Sequence, residues 1–98
     1  MEFKTYNTYI VTNENHTVLY TGVTSALRKR IWEHKNKMYP HSFTAKYNAE
    51  ELVYYEAFFD IGEAIVWEKQ IKAGSRQKKL DLINAFNQEW RDLFEDLD

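Results

Sequence analysis

There is no cysteine among the 98 residues. A disulfide scaffold, a thiolate zinc site and a cysteine nucleophile are therefore excluded, and a reducing compartment is the expectation. One proline and three glycines are too few for a linker or a low-complexity segment. No internal repeat occurs at solenoid spacing. No apolar run approaches the roughly 20 residues that span a bilayer. The opening Met1-Glu2-Phe3-Lys4-Thr5-Tyr6 lacks the apolar core of a signal peptide. The expectation is a soluble cytoplasmic protein with no membrane attachment. What the chain has in quantity is aromatic side chains, 16% of residues within a hydrophobic total of 44%. That share argues against disorder and for one packed domain over residues 1–98.

Charge is uneven beneath a net of −2. Residues 23–48 set Arg28, Lys29, Arg30, Lys35, Lys37 and Lys46 against Glu33, a net of +5. Residues 68–80 set Lys69, Lys72, Arg76, Lys78 and Lys79 against Glu68, a net of +4. Residues 49–67 hold five acids and no base, and residues 89–98 hold five acids against Arg91. Two basic blocks on one face would suit a polyanion. On charge alone, ordinary solvated helix faces are the favoured reading.

The β-branched and aromatic run 5–12, TYNTYIVT, predicts a strand, and 17–22, TVLYTG, a second. The polar Asn13-Glu14-Asn15-His16 between them makes a hairpin. Pairing Thr12 with Thr17 would set Tyr9 beside Tyr20 on one face. Gly22 ends the second strand. Thr24 or Ser25 caps a helix to about Lys37, and Pro40 opens a polar loop. Residues 51–59 read as a third strand. A helix follows over 61–73, capped by Asp60 and stopped by Gly74. Ser75 begins another to about Asn87, with a last turn or short helix over 89–97. The order β-β-α-β-α-α, a small three-stranded antiparallel sheet flanked by helices, is an α+β fold.

Several polar residues fall on apolar helix faces. In the first helix Leu27, Ile31 and Met38 mark the buried stripe. His34 lies within it and Arg30, one turn earlier, at its edge. Two bases side by side there make sense opposite an anion. In the second long helix Ile61, Ala64, Ile65 and Ile71 mark the stripe, and Glu68 lies inside it. A buried carboxylate is costly unless it is paired or holds a cation; Arg30 and Lys72 are the candidate partners. Singly, each has a structural reading: a satisfied core histidine, an ion pair, core tyrosines with wet hydroxyls. Together, Tyr9, Tyr20, Arg30, His34 and Glu68 form an unusual inward polar set, of the kind that marks a site.

These residues resemble a known family. Tyr9-Ile10, then Tyr20-Thr21-Gly22, Leu27-Arg28-Lys29-Arg30 and Trp32-Glu33-His34-Lys35 are similar to the GIY-YIG nuclease domain. Glu68-Lys69-Gln70-Ile71-Lys72 and Asn87-Gln88-Glu89-Trp90-Arg91-Asp92-Leu93 resemble its small stand-alone bacterial members. The resemblance covers nearly the whole chain and extends to the nuclease module of the nucleotide-excision-repair endonuclease. It implies a three-stranded antiparallel sheet flanked by helices and metal-dependent hydrolysis of DNA phosphodiesters. By position, Tyr9 and Tyr20 stand for the two motif tyrosines, Arg30 and His34 for the basic residues of the first helix, and Glu68 for the metal ligand. Asn84 and Asn87 both match a late asparagine near the site. The chain also departs from the pattern. The first motif reads Asn7-Thr8-Tyr9, Val23 stands where the repair enzymes carry lysine, and Gln88 replaces the usual proline.

The implied chemistry is specific. Glu68 would hold Mg²⁺ or Mn²⁺ weakly at a single site. Arg30 would grip a non-bridging phosphate oxygen, one of the tyrosines would activate water, and His34 would relay a proton or position the phosphate. Arg28, Lys29, Lys35, Lys69, Lys72 and Arg76 would contact flanking phosphates without reading sequence. DNA, in branched, flap or nicked form, is the expected partner, with a protein partner to supply specificity and a setting in repair or recombination. Two other readings compete: a non-catalytic module that binds branched DNA, and a protein-interaction domain.

Overall fold

A computed structural model of the chain describes residues 3–97; Met1, Glu2 and the last tail acid, Asp98, lie outside them. Three strands, β1 (Tyr6–Thr12), β2 (Leu19–Thr24) and β3 (Glu51–Phe58), form an antiparallel sheet in the order β2-β1-β3. The helices are α1 (Leu27–Lys35), α2 (Phe43–Lys46), α3 (Ile61–Ala73) and α4 (Arg76–Phe86), followed by a 3₁₀ turn at Leu93–Asp96. The α+β order expected from the sequence holds, with α2 added inside the segment that reads as loop. No helix among the described residues is long and apolar enough to cross a membrane.

Strand alternation sends successive side chains of β1 to opposite faces. Tyr9 and Val11 pack with Ile31, Ala49, Leu52, Leu93 and Phe94, under α1 and the 3₁₀ turn. Ile10 packs with Val53, Tyr54, Ile71 and Ile83, under α3 and α4. Both faces of the sheet are thus covered, which is why β1 in the centre is buried along nearly its whole length. Between the Ile10–Tyr54 and Val11–Leu52 pairs β3 carries one extra residue, Val53, a bulge that puts Val53 and Tyr54 into the same cluster.

The hairpin register differs from the expected one. Thr12 pairs with Leu19 rather than Thr17, and Tyr9 pairs with Gly22 rather than Tyr20. The cause is a longer turn. Asn13 Oδ1 accepts hydrogen bonds from the backbone N–H of Thr17 (2.9 Å) and Val18 (3.0 Å), and His16 takes a left-handed φ of 57°. Residues 17 and 18 are thereby held in the turn. Because the slip is two residues, the facing is preserved: Tyr9 and Tyr20 still share one face, as diagonal neighbours. Gly22 does not end β2 but sits within it, opposite Tyr9. A Cβ there would lie 2.6 Å from the Tyr9 hydroxyl, so only glycine leaves room for the ring.

Helix ends differ in part. The cap of α1 is Ala26, with no side-chain hydrogen bond; Thr24 Oγ1 instead accepts from the Ala26 N–H. The helix stops at Lys35, so Met38 lies outside it and is exposed rather than in the stripe. On α3, Ala64 and Ile71 are buried but Ile61 is exposed, since it sits in the first turn before the helix crosses the sheet. Asp60 is the cap residue there without a side-chain bond, and Gly74 ends the helix as expected. Ser75 caps α4, accepting from Lys78 N–H at 3.2 Å.

Candidate active site

The two tyrosines, the arginine and the histidine come together at the β2 side of the sheet. Tyr9 is 1% exposed, and its hydroxyl lies 2.9 Å from His34 Nε2. Tyr20 meets the His34 ring edge-on at 6.0 Å. One turn before His34, Arg30 lines the same cleft of about 280 Å³, together with Tyr20, Glu33, Lys37, Tyr39, Ser42, Phe43 and Thr44. Helical spacing of four places Arg30 and His34 on one side of α1, and the short C-terminal turn of α1 lets Tyr39 fold back. The Arg30 guanidinium lies over the Tyr39 ring at 5.6 Å and donates to Glu33 Oε1 at 3.3 Å.

Glu68, on α3, lies near enough for its charge to act on the Tyr9 hydroxyl. Its side chain is 19% exposed and pairs with Lys72 at 3.1 Å, and the Lys72 Nζ lies 5.9 Å from the Tyr20 ring centroid. Of the two partners the sequence allowed, it is the one on its own helix. Among the described residues no group of three or more His, Asp or Glu stands together as a metal cage. Glu68 is a lone hard oxygen donor, so a cation here would draw its remaining ligands from water and from substrate oxygens.

Electrostatics set the ground state of the site. Burial pushes the Tyr9 phenol up to about 12, while Arg30 beside it pulls the other way and Tyr20 and Glu68 reinforce burial. Burial, helped by the Arg30 charge and opposed by Glu33, pulls the His34 imidazole down to about 4. Burial alone would weaken the charge on Arg30, but Tyr9 and Glu33 outweigh it and hold the guanidinium more firmly protonated than usual. At neutral pH the cleft therefore presents a neutral imidazole and a fixed cation, with the neutral Tyr9 phenol buried behind the imidazole.

Other expected residues are placed elsewhere. Asn87 is buried, with Nδ2 donating to the carbonyls of Val53 (3.3 Å) and Arg91 (2.8 Å). Asn84 accepts from Trp90 Nε1 at 2.6 Å. Neither lines the cleft; both anchor the C-terminal segment to α4. Arg28 donates to the Leu97 carbonyl at 3.1 Å and lies over Phe94, and Lys35 pairs with Asp92. Arg76 donates to the His16 carbonyl at 3.1 Å. Lys29 and Lys69 are exposed. Sequence reasoning did not single out Tyr39, Ser42, Phe43 or Thr44. The available signal was an aromatic pair, Phe43 and Tyr47, four apart in a polar segment; Tyr20, Phe43 and Tyr47 in fact form a continuous row.

The family model of the GIY-YIG catalytic domain matches residues 5–81, which contain all five residues of the polar set. A UPF0213 protein of Staphylococcus saprophyticus is 42% identical over 66 residues, 67% of this chain and 79% of that protein. Another, from Syntrophus aciditrophicus, is 37% identical over 65 residues, 66% of this chain and 75% of that protein. The solution NMR structure of a UPF0213 protein from Bacillus halodurans is similar with a TM-score of 0.58 and 27% identity, covering 90% of this chain and 92% of that one. With Tyr9 and Tyr20 on adjacent strands and Arg30 and His34 on the helix that follows, the chain belongs to the GIY-YIG domain family.

Proposed function

We propose that the protein is a divalent-metal-dependent endonuclease that hydrolyses DNA phosphodiester bonds. The observation that carries this reading is the Tyr9–His34 hydrogen bond, buried directly behind an open cleft that His34 and a charged Arg30 line. A phosphodiester is anionic and resists nucleophiles, so an enzyme must offset charge at phosphorus and manage the proton of the attacking water. Arg30 supports the first task. It is one third exposed at the cleft, and its forked donors suit a non-bridging oxygen.

Tyr9 and His34 support the second. Neither is charged at neutral pH, so Tyr9 is no ready-made phenolate. It accepts the water proton as its own passes to His34 Nε2. The water oxygen bonds to phosphorus, the bridging P–O bond breaks, the leaving oxygen takes a proton from solvent, and His34 gives up to solvent the proton it received, so that Tyr9 and His34 end as neutral as they began. Tyr20, against the His34 ring, walls the cleft and orients the water. Glu68 would be the oxygen ligand for Mg²⁺ or Mn²⁺, and the cation would supply positive charge to offset the negative charge developing on the phosphate. A single carboxylate holds such a cation weakly, so its affinity rises when DNA brings phosphate oxygens. We assign the enzyme to the cytoplasm, acting in repair or recombination on branched, flap or nicked DNA with little sequence preference, and with a partner protein for specificity.

Incubation with supercoiled plasmid and with labelled flap and branched DNA, in Mg²⁺ or Mn²⁺, tests this beside Glu68→Ala. Cutting by the native protein is expected, lost in EDTA and reduced at least about 100-fold in the variant, as when one transition-state contact is removed. Binding at low salt without cutting on any substrate would replace the nuclease with a DNA-binding module. Neither binding nor cutting would leave a protein-interaction domain.

A further inference from the structure

The reaction above uses one nitrogen of His34. The other, Nδ1, is 2.9 Å from Thr44 Oγ1. Thr44 is buried, and its hydroxyl is 3.2 Å from Ser42 Oγ. Ser42 in turn caps α2, its Oγ accepting from the Ala45 N–H at 3.2 Å. A helix of four residues has little stability of its own. Here its first turn carries a hydroxyl to the back of the imidazole. We infer that Thr44 is a positioning residue that locks His34 in the Nδ1–H tautomer, so that Nε2 presents a bare lone pair to the Tyr9 hydroxyl. The inference deepens the nuclease reading and rests on it for its catalytic consequence.

Counting protons gives the direction. A neutral imidazole has one N–H and one acceptor nitrogen. Among the described residues, Nε2 is the acceptor within hydrogen-bond distance of the Tyr9 hydroxyl. Arg30, the cation beside the phenol, can only donate. If Nε2 carried the proton, the buried phenol O–H would have no acceptor, which is costly. If Nδ1 carries it, every group is satisfied. Tyr9 donates to Nε2, Nδ1–H donates to Thr44 Oγ1, and Thr44 donates to Ser42 Oγ, whose other lone pair holds the Ala45 N–H. The β-branched threonine has few side-chain rotamers, and the capped turn fixes its backbone, so the hydroxyl cannot easily turn away. The other tautomer would point an N–H at Tyr9 and block transfer of its proton.

Two measurements test this. Multiple-bond ¹H–¹⁵N spectra of histidine-labelled protein, without DNA or metal at neutral pH, report which His34 nitrogen bears hydrogen, with His34→Gln assigning the signal. Nδ1–H is expected in the native protein and in Thr44→Ser, with loss of that preference in Thr44→Val. Nε2–H in the native protein, or unchanged Nδ1–H in Thr44→Val, would overturn the assignment. In plasmid nicking, Thr44→Val should lower kcat about 10- to 100-fold, the loss seen when the group that orients a metal-bound histidine is removed. DNA affinity should be unchanged, and Thr44→Ser should restore the rate. A Thr44→Val protein that nicks at the native rate would overturn the catalytic consequence. The native spectrum decides the tautomer even if Thr44→Val fails to fold. A native protein that cuts no substrate would end the nuclease reading, while the spectrum still decides for or against Thr44.

Discussion

Burial and the Arg30 charge act in opposite directions on the Tyr9 hydroxyl, and burial wins. The same two influences act together on His34 and pull it down to about 4. This has a consequence for stability. In the unfolded chain His34 takes up a proton below about pH 6.5, whereas in the folded protein it refuses one until about pH 4. Between those values the unfolded state binds more protons, so stability falls as pH falls, by at most about 1.4 kcal/mol per pH unit from this residue. Above about pH 6.5 the contribution is complete and flat. Urea unfolding across this window should show the native protein losing more stability than His34→Gln, whose carboxylates titrate alike. Parallel curves for the two proteins would contradict the buried, neutral imidazole. At this scale the sequence was informative: helical spacing marked His34 and Arg30 as inward polar residues, and both line the cleft. It was silent on Thr44, because nothing local relates residue 34 to residue 44.

Among elements, Asp92 ties three together. Its Oδ1 accepts from the backbone N–H groups of Leu52 in β3 and Phe94 in the 3₁₀ turn, each at 3.1 Å, and its Oδ2 pairs with Lys35 at the end of α1. Asp92→Ala leaves two partly buried N–H groups without their acceptor and frees the lysine. A loss of about 2–4 kcal/mol is expected by summing such contacts. Asp92→Asn, which keeps the acceptor oxygen, should cost less than half of that. Equal losses for the two variants in denaturant unfolding would mean that the charge pair, and not the backbone acceptor, joins the elements. The boundaries of α3 and α4 were legible because Asp60, Gly74 and Ser75 are local stop and start signals. α2 was not, because a four-residue helix depends on its neighbours: Ser42 caps it, Thr44 meets His34 and Phe43 stacks on Tyr20. The hairpin register failed for a related reason. A side chain, Asn13, decided how many residues the turn holds.

Over the whole molecule, the net charge of −2 leaves DNA affinity to a few cations. Arg28 and Lys35 are engaged by the C-terminal segment, Lys72 by Glu68, and Arg76 by the His16 carbonyl. Lys29 and Lys69 are exposed and form no ion pair among the described residues. We therefore expect a shallow salt dependence of DNA binding. Each phosphate contact contributes about 0.9 to the slope of log K against log salt, and Lys29→Ala and Lys69→Ala should each reduce that slope by about one. Lys35→Ala should lower thermal stability and change the slope less. Fluorescence anisotropy over a salt series measures all three. An unchanged slope in both exposed-lysine variants would remove these residues from the DNA interface.

The element order, the sheet class and the identity of the inward polar residues were present in the chain as local pattern: strand composition, helical spacing and the glycine and serine punctuation. Side-chain period alone kept Tyr9 and Tyr20 on one face even where the expected register was two residues out, since facing depends on parity and not on the exact partner. What the pattern could not hold is which groups meet. The Tyr9–His34 bond, the Thr44 hydroxyl behind it, the approach of Lys72 to the Tyr20 ring and the loss of Arg28 and Lys35 to the tail all join residues far apart in sequence. Such contacts exist only once both faces of the sheet are packed, because only then does burial remove water as the competing partner and make each hydrogen bond direction matter.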